Sequence, residues 1–66
     1  MKLLEACEYA KKSGAETVGD AILCVENNAH RLFKVDVMAI ELSELVSDSI
    51  GVGDDMLIDD YLKDDN

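Results

Sequence analysis

The sequence predicts a small α+β domain made of an N-terminal helix, a short antiparallel β-hairpin and two acidic C-terminal helices. Three observations predict it. Apolar residues recur with the helical period near both ends of the chain, a β-branched alternating stretch lies between them, and glycines or asparagines separate these segments. A chain of 66 residues forms one domain with a marginal core. Residues 1–66 are therefore predicted to be a single domain, with residues 64–66 as a frayed tail.

The first helix is predicted over residues 2–13. Apolar side chains occur at positions 3, 4, 7 and 10, which is the spacing of one helix face. Lys11 and Lys12 fall in the last turn, where positive charge suits the helix dipole. Gly14 is predicted to end the helix, because glycine readily adopts the left-handed conformation of a C-terminal cap.

The hairpin is predicted within residues 20–37. Residues 33–37 alternate apolar and polar side chains, as in a strand with one buried face. A loop over residues 27–30 begins with two asparagines, which tolerate turn conformations. This loop would place Glu26 opposite Arg31 and would line one face of the hairpin with apolar side chains.

The alternative interpretation of the same stretch is helical. Val35 and Met38 can begin an apolar stripe that continues through Leu42 and Leu45. Residues 20–37 would then belong to helices, and the chain would form a small all-α helical bundle. Both interpretations are open at this point.

Two acidic helices are predicted in the second half, over residues 38–50 and 56–63. Their apolar residues follow the helical period, and a Gly-Val-Gly sequence at residues 51–53 separates them. Asp54 is predicted to cap the last helix, and Asp55 suits its start, because carboxylates stabilise the positive N-terminal end of a helix.

The net charge of −9 is confined to the second half of the chain. Residues 1–34 contain five acidic and five basic residues, whereas residues 35–66 contain ten acidic residues and Lys63 as their only base. Such asymmetry is typical of an acidic tail or of a surface that binds a basic partner. A solvated face that only keeps a small protein soluble would have the same composition.

The charge also limits the kinds of partner that the chain can bind, and other features of the sequence predict its cellular location. Nucleic acid and anionic membranes would be repelled, so direct binding to either is not expected. A basic protein surface would attract the chain over a long range. Because no apolar run can span a bilayer and Glu5 comes too early for a signal peptide, a cytoplasmic location is predicted. The small core leaves a monomer and a homodimer both open.

Few residues could carry enzymatic chemistry. Cys7 and Cys24 lie among apolar residues and are expected to be buried thiols of a cytosolic protein. His30, the only histidine, has no companion at the spacing of metal ligands. The paired aspartates lack the glycine-containing pattern of a calcium loop. We therefore expect no enzyme activity, no catalytic residue, no metal site and no cofactor.

The tripeptide Asp48-Ser49-Ile50 resembles the Asp-Ser-Leu element of acyl carrier proteins, in which the serine carries phosphopantetheine. Those proteins are also small and acidic. The resemblance covers three residues, and carrier proteins continue into further helices after this serine. It implies a remote alternative, a carrier-like chain modified on Ser49.

The distribution of carboxylates is similar to that of small DNA-mimic inhibitors of bacteriophages and mobile elements, such as anti-CRISPR and anti-restriction proteins. The resemblance is one of composition over residues 36–65 and includes no diagnostic motif. It implies that carboxylates on adjacent helical turns, about 5–6 Å apart, stand in for phosphates and occupy a Lys/Arg groove.

The function predicted on this basis is a non-enzymatic inhibitor that docks on a basic nucleic-acid-binding protein, such as a host enzyme or a defence complex. It would block the nucleic-acid site, in the host cytoplasm if the protein is phage-encoded. The alternative is an antitoxin-like or adaptor protein without mimicry. An aromatic ring within an acidic rim is typical of a binding anchor, so Tyr61 joins the carboxylates in the predicted partner-binding surface: Asp36, Glu41, Glu44, Asp48, Asp54, Asp55, Asp59, Asp60, Tyr61, Asp64 and Asp65.

Overall fold

The chain folds as a small helical bundle in a computed structural model that describes residues 1–63. Its helices are α1 (Leu3–Lys12), α2 (Val18–Asn27), α3 (Ala29–Leu32), α4 (Val35–Val52) and α5 (Ile58–Lys63). Residues 1–63 contain no β-sheet, and their single isolated antiparallel bridge joins Thr17 to Leu57. The all-α alternative is confirmed, and the predicted α+β fold with its β-hairpin is wrong. None of the helices described is both long and apolar enough to cross a membrane.

Helix α2 replaces the predicted first strand, because a side-chain cap and an apolar stripe favour the helix. The Thr17 hydroxyl accepts a hydrogen bond from the backbone N–H of Asp20 at 3.1 Å, which begins the helix. The side chains at positions 18, 21, 22 and 25 are buried, and this spacing places them on one helix face. The stripe packs on α1 and α4, so the burial of this face supports the helical conformation.

The predicted loop and second strand are also helical. The side-chain amide of Asn28 donates a hydrogen bond to the Cys24 carbonyl oxygen at 2.8 Å, so this asparagine closes the last turn of α2. Phe33 and Lys34 have extended backbone conformations between α3 and α4. Helix α4 then begins at Val35. The alternating pattern at these positions therefore marks a junction between two helices.

The helices predicted near both ends are confirmed, with changes at their boundaries. Gly14 follows α1 with a φ of +97°, the left-handed conformation expected after a helix end. Helix α4 begins at Val35 instead of residue 38. Helix α5 begins at Ile58, so Asp54 and Asp55 lie in the turn before it. The predicted cap at Asp54 is wrong, and Asp55 does not lie at the start of the helix.

The core lies where α1, α2 and α4 meet, and α5 packs against α1. The buried apolar residues of this cluster are Leu3, Ala6, Cys7, Ala10, Val18, Ala21, Ile22, Val25, Leu45 and Ile58. Helix α4 buries only Leu45 and Ser49. Most of the longest helix is therefore available on the surface of the described chain.

Backbone hydrogen bonds hold the turn at residues 53–57 against the start of α2. The Val18 N–H donates to the Met56 carbonyl oxygen at 2.8 Å, and the Gly19 N–H donates to the Asp54 carbonyl oxygen at 3.0 Å. A Cβ atom on Gly19 would lie only 3.2 Å from the Cβ of Asp54, so glycine permits this close approach. The contact fixes this aspartate beside α2.

Candidate partner-binding surface

The carboxylates of the acidic half lie on the surface of the fold. The exposed ones are Asp36, Glu44, Asp48, Asp54, Asp55, Asp59 and Asp60. Glu41 is half-buried, and so is Tyr61, which packs against the core cluster. The remaining predicted residues of the surface, Asp64 and Asp65, lie outside the described residues.

Two of these carboxylates have cationic partners within residues 1–63. Glu41 pairs with the amino group of Met1. Asp59 pairs with Lys11, whose Nζ lies 2.6 Å from a carboxylate oxygen, and this hydrogen bond and the positive charge lower the pKa of Asp59. The other exposed carboxylates between residues 36 and 60 form no ion pair with a described residue.

The structure does not bring all of these residues onto one face. Glu44 and Asp48 are one helical turn apart on the same flank of α4. Asp54 lies beyond the end of α4, beside α2. Asp36 lies in the first turn of α4, about 18 Å along the axis from Asp48 at 1.5 Å per residue. The predicted surface therefore divides into separate patches.

One shallow groove, with a volume of about 450 Å³, lies beside Asp48 between the start of α1 and the second half of α4. Leu4 and Val52 belong to its apolar wall, and Tyr61 lines it as well. Lys2 also lines this groove. Because Lys2 and Asp48 both line it, this groove carries charges of both signs.

A larger groove, of about 570 Å³, runs between α2 and α4, and we call it the α2–α4 groove. Its lining includes the apolar residues Leu23, Val46 and Ile50, which we call the floor, with exposed fractions of 59%, 40% and 74%. It also includes four carboxylates, which we call the rim and which belong to Asp20, Glu26, Asp54 and Asp55. None of the described residues that line it is basic.

Half of this acidic rim was missed in the sequence-based prediction. Asp20 and Glu26 belong to the electrically neutral first half of the chain, and the hairpin placed Glu26 opposite Arg31. The signal that could have found them is Thr17, a good N-cap residue three positions before Asp20. In a helix that begins there, Leu23 and Glu26 lie on the same face, because they are three residues apart.

Comparison with protein-family models, curated proteins and solved structures found no match to this chain. Within residues 1–63, no group of three or more His, Cys, Asp or Glu side chains is placed to hold a metal ion. The chemistry that the α2–α4 groove offers is that of an interface. Its floor can bury apolar side chains, and its carboxylates can accept charge-assisted hydrogen bonds from Lys or Arg.

Ser49, the residue of the carrier-protein resemblance, lies at the base of the α2–α4 groove. It is 3% exposed, and its hydroxyl donates a hydrogen bond to the Val46 carbonyl oxygen at 2.8 Å. A prosthetic group could reach this hydroxyl only after the side chain had left both the hydrogen bond and its buried position. The geometry therefore does not favour attachment at Ser49.

Both cysteines are free thiols. Cys7 is fully buried, and burial raises the pKa of its thiol. Because the thiolate is the nucleophilic form, the raised pKa keeps Cys7 in its less reactive state. Cys24 is half-buried on α2 and packs against the core cluster. Cys7 therefore serves the fold as a small apolar core residue.

Proposed function

We propose that this protein is a non-enzymatic acidic binding protein that docks on a basic protein surface and blocks a nucleic-acid-binding site there. The observation that carries the proposal is the set of exposed carboxylates between residues 36 and 60 that have no cationic partner within residues 1–63. Like charges on one surface repel one another, and a Lys- and Arg-rich partner relieves this repulsion.

The charge of the chain selects the class of partner. A surface with excess negative charge attracts a basic protein and raises its association rate, over a range set by the Debye length of about 8 Å at physiological salt. The same surface repels nucleic acid and anionic lipid. A nucleic-acid-binding site on another protein is a cationic surface of the required kind, and the chain competes for it directly.

The spacing on α4 supports mimicry of a phosphate backbone. Glu44 and Asp48 lie on consecutive turns, with Cβ atoms about 5–6 Å apart, and both side chains are exposed. A helix of 18 residues holds them at a fixed separation. Two anionic groups held in this way can be bound by the same Lys and Arg side chains that bind successive phosphates.

The α2–α4 groove favours a second candidate, an adaptor or antitoxin-like protein without mimicry. Its apolar floor can hold a partner through burial of hydrophobic surface. Such a partner would keep its nucleic-acid site open. The two candidates therefore differ in whether DNA and this protein bind the partner at the same time.

A competition experiment separates them. A basic DNA-binding protein captured on the immobilised chain at low salt is challenged with duplex DNA, with the same concentration of neutral dextran as the control. We expect DNA but not dextran to displace the partner, and the affinity to fall at least about tenfold between low salt and roughly 0.15 M salt. A stable ternary complex with DNA, or an affinity indifferent to salt, contradicts mimicry, and the ternary complex supports the adaptor.

A further inference from the structure

We propose that the α2–α4 groove binds one amphipathic helix of the partner, with apolar side chains against the floor and Lys or Arg side chains against the rim. The proposal rests on the part of the proposed function that both candidates share, docking on a basic protein surface, because it names the structural element that such a partner presents. The groove has two features that match the two faces of such a ligand. Leu23 and Ile50 of the floor are exposed apolar residues, and the ionisable groups of the rim are all carboxylates.

A row of exposed residues on α4, of which only Val46 and Ile50 line the groove, sets the length of this ligand by continuing toward the start of the helix. Its members recur every three or four residues and are therefore aligned along one side of the helix; they are Val35, Ala39, Ser43, Val46 and Ile50, all exposed. From the first to the last the row spans about 22 Å at 1.5 Å per residue. Ala39 and Ser43 are small, which allows a second helix to approach closely. A ligand helix of about 15 residues matches this length.

Helical structure in the ligand follows from the shape and polarity of the groove. The floor lies between two helices, and a third helix can pack its ridges into such a groove. A helix bonds its own backbone N–H and C=O groups, so it can bury one face on an apolar floor without leaving them unpaired. An extended segment would leave backbone groups unpaired against the floor.

The rim sets the charge of the ligand. Asp20, Asp54 and Asp55 stand at the end of the groove where α2 begins, and Glu26 lies about 9 Å further along α2 at 1.5 Å per residue. Lys and Arg side chains are long enough to lie along an apolar surface with the charged group at its edge. A second copy of this chain carries the same charge of −9, so electrostatic repulsion disfavours it as the occupant.

The probe for the test is a fluorescein-labelled 15-residue peptide with Leu on one helical face and Lys on the other. A scrambled peptide of identical composition, which keeps the charge and loses the apolar face, is its control. Binding to the whole chain is measured by fluorescence anisotropy. We expect the amphipathic peptide to bind about tenfold more tightly than the scrambled one.

Matched variants locate the binding. Val46 and Val37 lie on the same helix with exposed fractions of 40% and 42%, but only Val46 lines the groove. We expect Val46→Ser to weaken peptide binding at least about threefold and Val37→Ser to leave it unchanged. Ile50→Ser, at a position 74% exposed, repeats the test with less disturbance of the fold. Thermal unfolding checks that each variant remains folded.

Charge variants form a second matched pair. D54N/D55N removes two rim carboxylates, whereas E8Q/D60N removes two exposed carboxylates that lie outside the groove and outside α4. Only the rim variant should weaken the binding of the amphipathic peptide. Equal effects of the two pairs, or equal binding of the scrambled peptide, would overturn the groove proposal and leave the proposed function standing.

Two further outcomes also overturn the proposal. If no cationic peptide binds at any salt concentration, the groove proposal and the proposed attraction to basic surfaces fail together. If sedimentation shows a dimer that Val46→Ser dissociates and Val37→Ser does not, a second copy of the chain occupies the groove, and the proposed function is tested separately by DNA competition.

Discussion

Thr17 stabilises the start of α2, because its hydroxyl accepts a hydrogen bond from the backbone N–H of Asp20. Thr17→Ala removes this acceptor and should lower the free energy of unfolding by about 1 kcal/mol. Thr17→Ser keeps the acceptor and should be nearly neutral. Urea denaturation measures both values. If the alanine variant is as stable as the serine variant, Thr17 does not cap a helix.

Asp59 and Asp60 are sequence neighbours. Asp59 forms an ion pair with Lys11, whereas Asp60 forms no ion pair with a described residue. Lys11 lowers the pKa of Asp59 in the folded state, and unfolding returns it to the ordinary value of about 3.9. A group with a lowered folded pKa stabilises the fold above its unfolded pKa and loses that contribution as the pH falls through its folded pKa. The effect is small because the pair is exposed.

We therefore predict that Asp59→Asn destabilises the protein more than Asp60→Asn near neutral pH. Both variants remove one negative charge, so the difference reports mainly the Lys11 contact, with a smaller contribution from the charge of Lys63. It should disappear in acid below the folded pKa of Asp59, where the wild-type carboxylate is also neutral. Urea midpoints across the pH range measure it, and equal midpoints for the two variants at neutral pH would contradict the contact.

At the scale of the elements, α1 and α4 could be predicted from sequence because their apolar residues are periodic and glycines follow them. Gly14 and Gly53 both have positive φ angles, at +97° and +103°. The start of α4 was missed because Val35 belongs to a stretch that also alternates like a strand. The local sequence pattern therefore predicted the existence of α4 correctly but not the residue at which it begins.

Helix α2 was mispredicted because two local signals competed. Positions 18, 21, 22 and 25 follow helical spacing, whereas the Asn27-Asn28 pair is also good turn chemistry. In the fold, Asn28 bonds back to Cys24, and the apolar stripe is buried against α1 and α4. Tertiary burial decided the outcome, and the burial partners are distant in sequence.

The candidate site could be predicted only where it depends on local sequence, and not where it depends on contacts between distant residues. The exposure of Glu44 and Asp48 follows from their charge and from the apolar stripe on the opposite side of the helix. The α2–α4 groove could not be predicted, because it depends on the contact of Gly19 with Asp54, residues 35 positions apart, and because most of α2 was assigned to the hairpin.

Two glycines in the helices make a matched test of this packing. A Cβ on Gly51 of α4 would have no heavy atom within 4 Å, whereas one on Gly19 of α2 would lie 3.2 Å from Asp54. Gly51→Ala should raise the free energy of unfolding by about 0.5–1 kcal/mol. Gly19→Ala should gain less or destabilise, because the turn at residues 53–57 must move. Thermal unfolding compares them, and an equal gain would contradict the close approach.

At the scale of the whole molecule, the electrically neutral half contributes most of the buried core and the acidic half carries the net negative charge. Eight of the ten buried apolar residues in the core cluster come from α1 and α2. Helix α4 contributes Leu45 and leaves Val35, Ile40 and Ile50 exposed. Charge and core are therefore separated along the sequence, and changes to exposed α4 residues can alter binding with little effect on folding.

The central claim is that the position of the charge, and not only its amount, drives docking. Its most direct test is the association rate of a captured basic partner at low salt for two double variants that each remove two exposed carboxylates. E44Q/D48N changes the acidic flank of α4, and E8Q/E16Q changes the neutral half. We predict that E44Q/D48N lowers the association rate several-fold and flattens its salt dependence, whereas E8Q/E16Q leaves both nearly unchanged. Equal reductions by the two variants, or no reduction by E44Q/D48N, would contradict the account.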